Sequence, residues 1–366
     1  MNQSKSRILT LFFVFIFVLT LLAACSNNSQ QNAPGQSSNP AATGGEDGKV
    51  YTLRLAAAST PPGPGASFIV ALEKFIEEGT NGRIDVQVYH SGTLGTTNQV
   101  IQGIQDGSIE GACLPLNYYE PSVPELGIFG LPMFFDNSEQ AVRLCSEKGT
   151  ELNDLLMSAF SEKGFFLAKP LVASNNMFIT IKPIEKYEDL KGLKLWCQSN
   201  SILVSTLNAF GATPVNFETG DLAVGLQQKT IDGAYANSVL IAPQKLYDMA
   251  KNLLVSDVTI TFSVHGIIYS KIFIDSLPPD LRDLLLEATL KGHDEFYTPY
   301  NTEYIKESYD EIMNAPGVIT THADEEFIAK ARAAVASLGD DFIANVPSAK
   351  PIYEAAKAAI EADRAS

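Results

Sequence analysis

The chain has 366 residues, 45% of them hydrophobic and 19% charged, and its 26 Lys+Arg against 42 Asp+Glu leave a formal net charge of −16. That length allows two domains or one large composite. The charge excludes a protein that tracks nucleic-acid phosphates or docks electrostatically on anionic lipid, since both need a basic face. Cys25, Cys113, Cys145 and Cys197 form no CxxC pair, and His90, His265, His293 and His322 show no HxxxH spacing. Dithiol redox and zinc-hydrolase chemistry are thereby disfavoured.

Lys5 and Arg7 precede an apolar run from Ile8 to Ala24. The run is marginal for a membrane span and suits the charged and apolar regions of a signal peptide. It ends in Leu22-Ala23-Ala24-Cys25, which resembles the lipobox of bacterial lipoproteins. The resemblance implies that residues 1–24 are removed and that Cys25 is acylated as the new N-terminus. Losing Lys5 and Arg7 would leave 24 basic and 42 acidic groups, a net charge of −18. Residues 26–48 hold no aromatic and no large aliphatic side chain. Such a stretch cannot bury enough apolar surface to offset its ordering entropy, so 25–48 is expected to act as a flexible leash. The expected product is an acidic globule, lipid-anchored to the outer face of the cytoplasmic membrane or in a periplasm.

The globular part reads as α/β. Tyr51, Leu53 and Leu55 alternate with polar or small residues as a strand does, and residues 66–78 place Phe68, Leu72, Phe75 and Ile76 on one helical face before Gly79. A strand at 84–88, a helix at 97–106 and a strand at 109–114 follow. Strands separated by single helices imply parallel pairing with right-handed crossovers. A second series runs through strands at 165–168, 177–181 and 193–197, a helix at 201–210 and strand 213–216. It continues with a helix at 221–229, strand 231–235 and a helix at 239–251. The stretch 258–270 is a long β run that could cross between lobes. Residues 279–314 have a helical pattern of unusual length, and Pro299 within them predicts a kink. Three amphipathic helical segments fill 324–362. Two α/β halves joined by extended crossings enclose a cleft, the usual place for a small ligand.

Five blocks carry a resemblance to a known family: GTLGTTNQVIQGIQDGSIEGA (92–112), PELGIFGLPMFFDNSEQAVRL (124–144), EDLKGLKLW (188–196), LQQKTIDGAYAN (226–237) and SKIFIDSLPPDLRDLL (270–285). In order and at these spacings they resemble the extracytoplasmic solute-binding subunits of tripartite ATP-independent periplasmic (TRAP) transporters, the DctP-like family, over roughly residues 50–320. The resemblance implies a two-lobed flytrap fold with a long kinked helix spanning both lobes. Lobe I would comprise 49–172 with part of 262–300, and lobe II 173–261 with part of 301–322. Residues 323–366 would form C-terminal helices packed on the back. It further implies capture of a small solute between the lobes, closure, and delivery to membrane permease subunits by a monomer without cofactor. A ligand-sensing co-receptor of the same fold is the other role open to it. No nucleophile elbow, triad order, phosphate loop or metal-ligand spacing is present, so an enzyme is not expected.

The sequence departs from the family at the residues that grip the solute. Most members hold an organic acid with an arginine on the strand after "DLKGLK", where a guanidinium forks onto a carboxylate; that position is Trp196 here. A second family arginine falls at Asn175 or Asn176, and the turn asparagine falls on Ala236, with Asn237 beside it. Independently of alignment, there is no arginine between Arg143 and Arg282, so the second lobe has none to offer. Lys182 or Lys194 could substitute, which keeps an organic-acid binder open as the alternative. The solute expected is neutral, aromatic or amine-bearing. Trp196 would offer a flat face to it, with Tyr118, Tyr119 and Tyr235 as further aromatic lining. Asn117, Asn175, Asn176 and Asn237 would supply amide donors and acceptors. Ser59 and Thr60 end the first strand where its loop should face the cleft, and His265 lies on the crossing strand. Cys113 and Cys145 are expected as buried thiols, and Cys197 should point away from Trp196.

Overall fold

The computed structural model describes residues 48–198 and 200–365; the expected signal peptide, Cys25 and nearly all of the leash lie outside the described residues. Among the described residues ten strands form the framework: β1 (Tyr51–Ala57), β2 (Ile84–His90), β3 (Gly111–Pro115), β4 (Phe165–Thr180), β5 (Lys194–Trp196), β6 (Thr213–Val215), β7 (Gly233–Asn237), β8 (Asn252–Val255), β9 (Phe262–Ser270) and β10 (Ile319–His322). They run in the order β2-β1-β3-β9-β4-β7-β5-β6, with β8 joining β4 to β10. β1 pairs in parallel with β2 and β3, and β5 with β6 and β7, as single-helix crossovers require. β9 and β4 run antiparallel to their neighbours and tie the two parallel sets together.

The sequence predicts separate strands at 165–168 and 177–181, but the structure joins them in one 16-residue strand. Its register against β9 shifts between Leu167 and Lys169 and again between Val172 and Asn175. An unpaired residue at such a bulge bends the strand, so β4 leaves the first sheet at its middle and enters the second. Pro170 near the bend adds to this, because it has no N–H to give a ladder. The helix expected over 239–251 ends at Ile241. Pro243 lacks a donor and crowds the carbonyl four residues back, and Lys245 adopts a left-handed φ of 50°. The β run expected from 258 begins only at Phe262.

Each parallel set buries side chains on both faces. Leu53, Leu55 and Cys113 face one core while Ala56, Ala112 and Leu114 face the other. In the second lobe Ile179, Trp196 and Leu253 lie on one side of the sheet and Phe178, Cys197 and Tyr235 on the other. Trp196 and Cys197 thus point to opposite faces, as the strand alternation predicts.

The long helix is present as an unbroken path of 35 residues: Pro279–Gly292, a π-helical segment His293–Tyr297, and Thr298–Met313. The irregularity precedes Pro299, whose ring displaces the carbonyl it would otherwise meet. Leu281 and Leu285 pack into the first lobe's core and Ile312 into the second's. Tyr297 Oη and Asn301 Nδ2 both donate to the Val172 carbonyl, at 2.6 and 3.0 Å, so the helix is pinned where β4 bends. Gly79 permits a close approach to its first segment; a Cβ there would stand 2.9 Å from the Ala288 methyl.

Three C-terminal helices follow at Glu325–Ala334, Leu338–Asn345 and Lys350–Ala365. Phe327 and Ala331 of the first enter a second-lobe core, while Ile352, Ala356 and Ile360 of the last enter a first-lobe core. Arg143 clamps the last helix through Asp363 at 2.6 Å, and Arg364 pairs with Asp136.

Candidate functional site

Between the lobes lies a cleft of about 1020 Å³, ample for a small metabolite. One wall is the first turn of helix Thr97–Asp106 and the turn Leu116–Tyr119 with Glu120. The facing wall is the segment after β5, with Gln198 and Asn200, and the segment after β6, with Asn216, Phe217 and Glu218. Phe342 and Asn345 of the middle C-terminal helix close one side. A space of about 420 Å³ shares Thr97, Asn98 and Glu218 with this cleft and extends it along the end of β1. At the other end Asn117, Glu120, Gln198 and Asn200 also bound a chamber of about 20 Å³, whose remaining wall includes Leu203, Phe262 and Val264.

The charge of this lining is one-sided. Glu120, Glu218 and Asp341 contribute to it, and among the described residues no lysine, arginine or histidine does. Five of the described arginines are engaged elsewhere: Arg54 with Glu110, Arg83 with Asp280, Arg143 with Asp363, Arg282 with Asp283 and Arg364 with Asp136. Arg332 borders a separate surface groove with Asp324 and Ile328.

Burial opposes the ionisation of Glu120 in the cleft. This residue follows the turn Leu116–Tyr119 and accepts one hydrogen bond, from Asn200 Nδ2 at 2.5 Å. It forms no ion pair among the described residues. Burial pushes its pKa up to about 7, with the Asn200 hydrogen bond acting the other way. Asn117 Nδ2, one turn earlier, is sealed from solvent without a partner. The Tyr118 hydroxyl is also raised, first by burial and then by the charge of Glu218 facing it from the other wall.

Of the residues singled out from sequence, Asn117, Tyr118 and Trp196 come together in the cleft. Trp196 does so only at its edge: it is 2% exposed, packs with Leu222 and Ala234, and donates Nε1–H to the Phe217 carbonyl at 3.0 Å. The expected flat platform is thus a packed wall that holds the Phe217 segment in place. Tyr119 and Tyr235 are core residues. Tyr119 packs edge-on against Phe165, and Tyr235 lies on Phe178 with its hydroxyl bonded to Thr261 Oγ1. Asn175 and Asn176 border a different crevice, and Asn176 Nδ2 donates to Thr261 Oγ1. Asn237 caps a short helix by accepting from Leu240 N–H and donates to Ser263 Oγ. Ser59 and Thr60 are exposed on a loop outside the cleft lining.

His265 faces Gly65 and Cys113 beneath the first sheet, its Nδ1 sealed without a partner. Burial lowers its pKa to about 4. The Cys113, Cys145 and Cys197 thiols are buried, as expected.

Sequence reasoning missed Glu120, Gln198, Asn200 and Glu218. Their only sequence signal is position: Gln198 and Asn200 directly follow the strand that ends at Trp196, and Glu120 directly follows the Asn-Tyr-Tyr turn.

Residues 56–345 match the profile of the bacterial extracellular solute-binding protein family 7, DctP. The chain belongs to this family. The C4-dicarboxylate-binding periplasmic protein DctP of Vibrio cholerae is 31% identical over 279 residues, covering 73% of this chain and 77% of that one. The ectoine-binding periplasmic protein TeaA of Halomonas elongata is 26% identical over 271 residues, covering 71% and 75%. Among solved structures, a TRAP periplasmic solute-binding protein of Chromohalobacter salexigens with bound D-glucuronate superposes with a TM-score of 0.76 at 20% identity, covering 84% of this chain and 99% of that one. Family 7 proteins bind solutes for transport outside the cytoplasm and are not enzymes. The two-lobed fold and long helix expected from the sequence are those of this family.

Proposed function

We propose that this chain is the lipid-anchored solute-binding subunit of a TRAP-type importer and that it carries a neutral or amine-bearing solute. In this reading Cys25 is the acylated residue and residues 26–48 are the leash. The lobes close about the bend of β4 near Val172, and the closed form is handed to the membrane permease. Because closure is a two-state equilibrium, the solute must touch the closed form more than the open one. Residues from both walls therefore bind it: Asn117, Tyr118 and Glu120 from one, Gln198, Asn200 and Glu218 from the other.

One observation carries the choice of solute: the cleft presents three acidic side chains and no cationic one among the described residues. A carboxylate closed into it would lack a partner, at a cost of about 3–5 kcal/mol. That weakens binding by about a hundredfold or more. Relatives of this chain are named for C4-dicarboxylates and for ectoine, a zwitterion. Family membership thus leaves the solute class to the lining. Lys182 and Lys194, the conceivable substitutes, are exposed and outside that lining.

Thermal-shift screening of the purified full chain against dicarboxylates, sugar acids, amines and neutral polar solutes tests the reading. Stabilisation by an amine or a neutral solute supports it. Stabilisation by acids alone overturns it.

A further inference from the structure

We infer that Glu120 and the chamber beside it form a subsite for a primary ammonium group, which enters the chamber with its charge against the Glu120 carboxylate. The inference deepens the amine-bearing branch of the function proposed above and rests on it.

Three observations converge. The chamber, at about 20 Å³, has room for little more than one non-hydrogen group. Its polar boundary is Asn117, Glu120, Gln198, Asn200 and Ser263, and the rest of its wall includes Leu116, Phe129, Leu203 and Phe262. Glu120 uses Oε1 to accept from Asn200 and forms no ion pair among the described residues, so a carboxyl borders the cleft with no resident cation. An ammonium carries three N–H donors and no acceptor, and Glu120 Oε2, which accepts from no described residue, can take one of them. A compact RNH₃⁺ fits such a chamber, whereas a quaternary ammonium, with four carbons around its nitrogen, does not.

The subsite has a consequence for pH. Burial keeps the empty carboxyl protonated up to about pH 7, and the arriving cation must displace that proton. The groups facing Glu120 do not alter the sign. Tyr118 is on its own turn, and Glu125, with a sealed Oε2, begins the next. Glu218 and Asp341 stand on other walls of the cleft. The nearest histidine on β9, His265, turns toward Gly65 and Cys113. An alkylamine stays protonated well past this range, as a lysine does. The ionised fraction of a group with a pKa of about 7 falls about tenfold between pH 8 and pH 6, and amine affinity falls with it.

The test is calorimetric titration of the full chain with n-butylamine, 1,4-diaminobutane, tetramethylammonium and succinate at those two pH values. It is repeated with Glu120→Gln and Glu120→Asp, with melting temperatures recorded to confirm folding. The expected result is primary-amine binding that weakens about tenfold from pH 8 to pH 6. The Glu120→Gln variant should bind at least tenfold more weakly with a flat pH profile, and Glu120→Asp should keep the pH dependence. Amine binding that ignores pH, survives Glu120→Gln, or is matched by tetramethylammonium overturns the subsite alone. Succinate binding with no amine binding overturns the subsite and the proposed solute class together.

Discussion

Asn200 and Glu120 meet across the cleft, the Asn200 amide donating to the Glu120 carboxyl at 2.5 Å. Asn200 is bound at its other end as well. Its Oδ1 accepts from the Leu203 N–H at 2.8 Å and caps the helix Ser201–Ala209. One asparagine therefore starts a second-lobe helix and reaches a first-lobe carboxyl 80 residues away. That helix also sends Ile202 into a first-lobe core and Leu203 into a second-lobe core.

The first prediction concerns the stability cost of keeping Glu120 in the cleft. Its folded pKa, about 7, lies above the ordinary value of 4.5. The folded state thus holds the proton more tightly than the unfolded one. Its stabilising contribution is complete below pH 4.5 and is lost as pH rises through 7. The Glu120→Gln variant keeps the shape and removes the charge. It is expected to be more stable than the parent by up to about 3 kcal/mol at pH 8 and nearly equal at pH 4. Urea unfolding at both pH values measures this, and equal stability at pH 8 would contradict it.

Trp196 is the only tryptophan in the chain, buried in a core yet touching the cleft. Replacing it with alanine is expected to lower stability by about 3–5 kcal/mol. Trp196→Phe is milder but removes the hydrogen bond to Phe217, so the 216–219 wall loosens and ligand affinity drops. In the parent, emission is expected to be blue-shifted and to change on solute binding. Fluorescence titration checks both statements; an indole that reports neither burial nor ligand would contradict the packing.

Much of the fold was legible because it rests on local patterns. The alternation of Leu53 and Leu55, the helical face of Phe68, Leu72 and Ile76, and the punctuation by Gly79 and Pro299 each survive in the structure. The continuity of β4 was not legible, since the bulges at Ala168 and at Ala173 and Ser174 arise from its pairing with β9, nearly a hundred residues away. The site was legible mainly as a deficit. The absence of arginine between Arg143 and Arg282 holds whatever the geometry. Which residues replace it depends on tertiary placement: Tyr235 reads as cleft lining by motif but is turned inward by the pleat of β7, and Glu120 carries no motif at all.

His265 sets a second pH window. Its folded pKa, about 4, lies below the ordinary 6.5 because burial disfavours the charged ring. Stability is complete above pH 6.5 and is lost as pH falls through 4, by about 2 kcal/mol after allowance for the ring's partial exposure. His265→Gln is expected to flatten the acid limb of a stability-versus-pH curve between those values while leaving solute binding at pH 8 unchanged. An unchanged acid limb in the variant would exclude His265 as its origin.

At Gly233 the prediction is steric. A Cβ there would collide with the Ile179 carbonyl oxygen and lie 3.0 Å from the Thr180 Cα, both backbone atoms of the neighbouring strand. Gly233→Ala must separate β7 from β4, and a loss of about 3 kcal/mol or more is expected. Chemical denaturation measures it; a loss below about 1 kcal/mol would show that the strands can part without penalty.

The last prediction inverts the cleft's preference. Gln198 borders both the cleft and the chamber, beside Glu120. Gln198→Arg alone would pair with Glu120, since a guanidinium and a carboxylate brought together in a half-buried site satisfy each other. That single change is expected to lower the Glu120 pKa and abolish amine binding without creating an acid site. Adding Glu120→Gln frees the guanidinium to fork onto a ligand carboxylate, so the double variant is expected to gain succinate binding that the parent lacks. At a hundredfold excess over Kd the gain amounts to about 3 kcal/mol of stabilisation, which a thermal shift resolves as several degrees. If the double variant remains indifferent to succinate while still folded, the missing cation is not what keeps acids out, and the lining-based choice of solute fails with it.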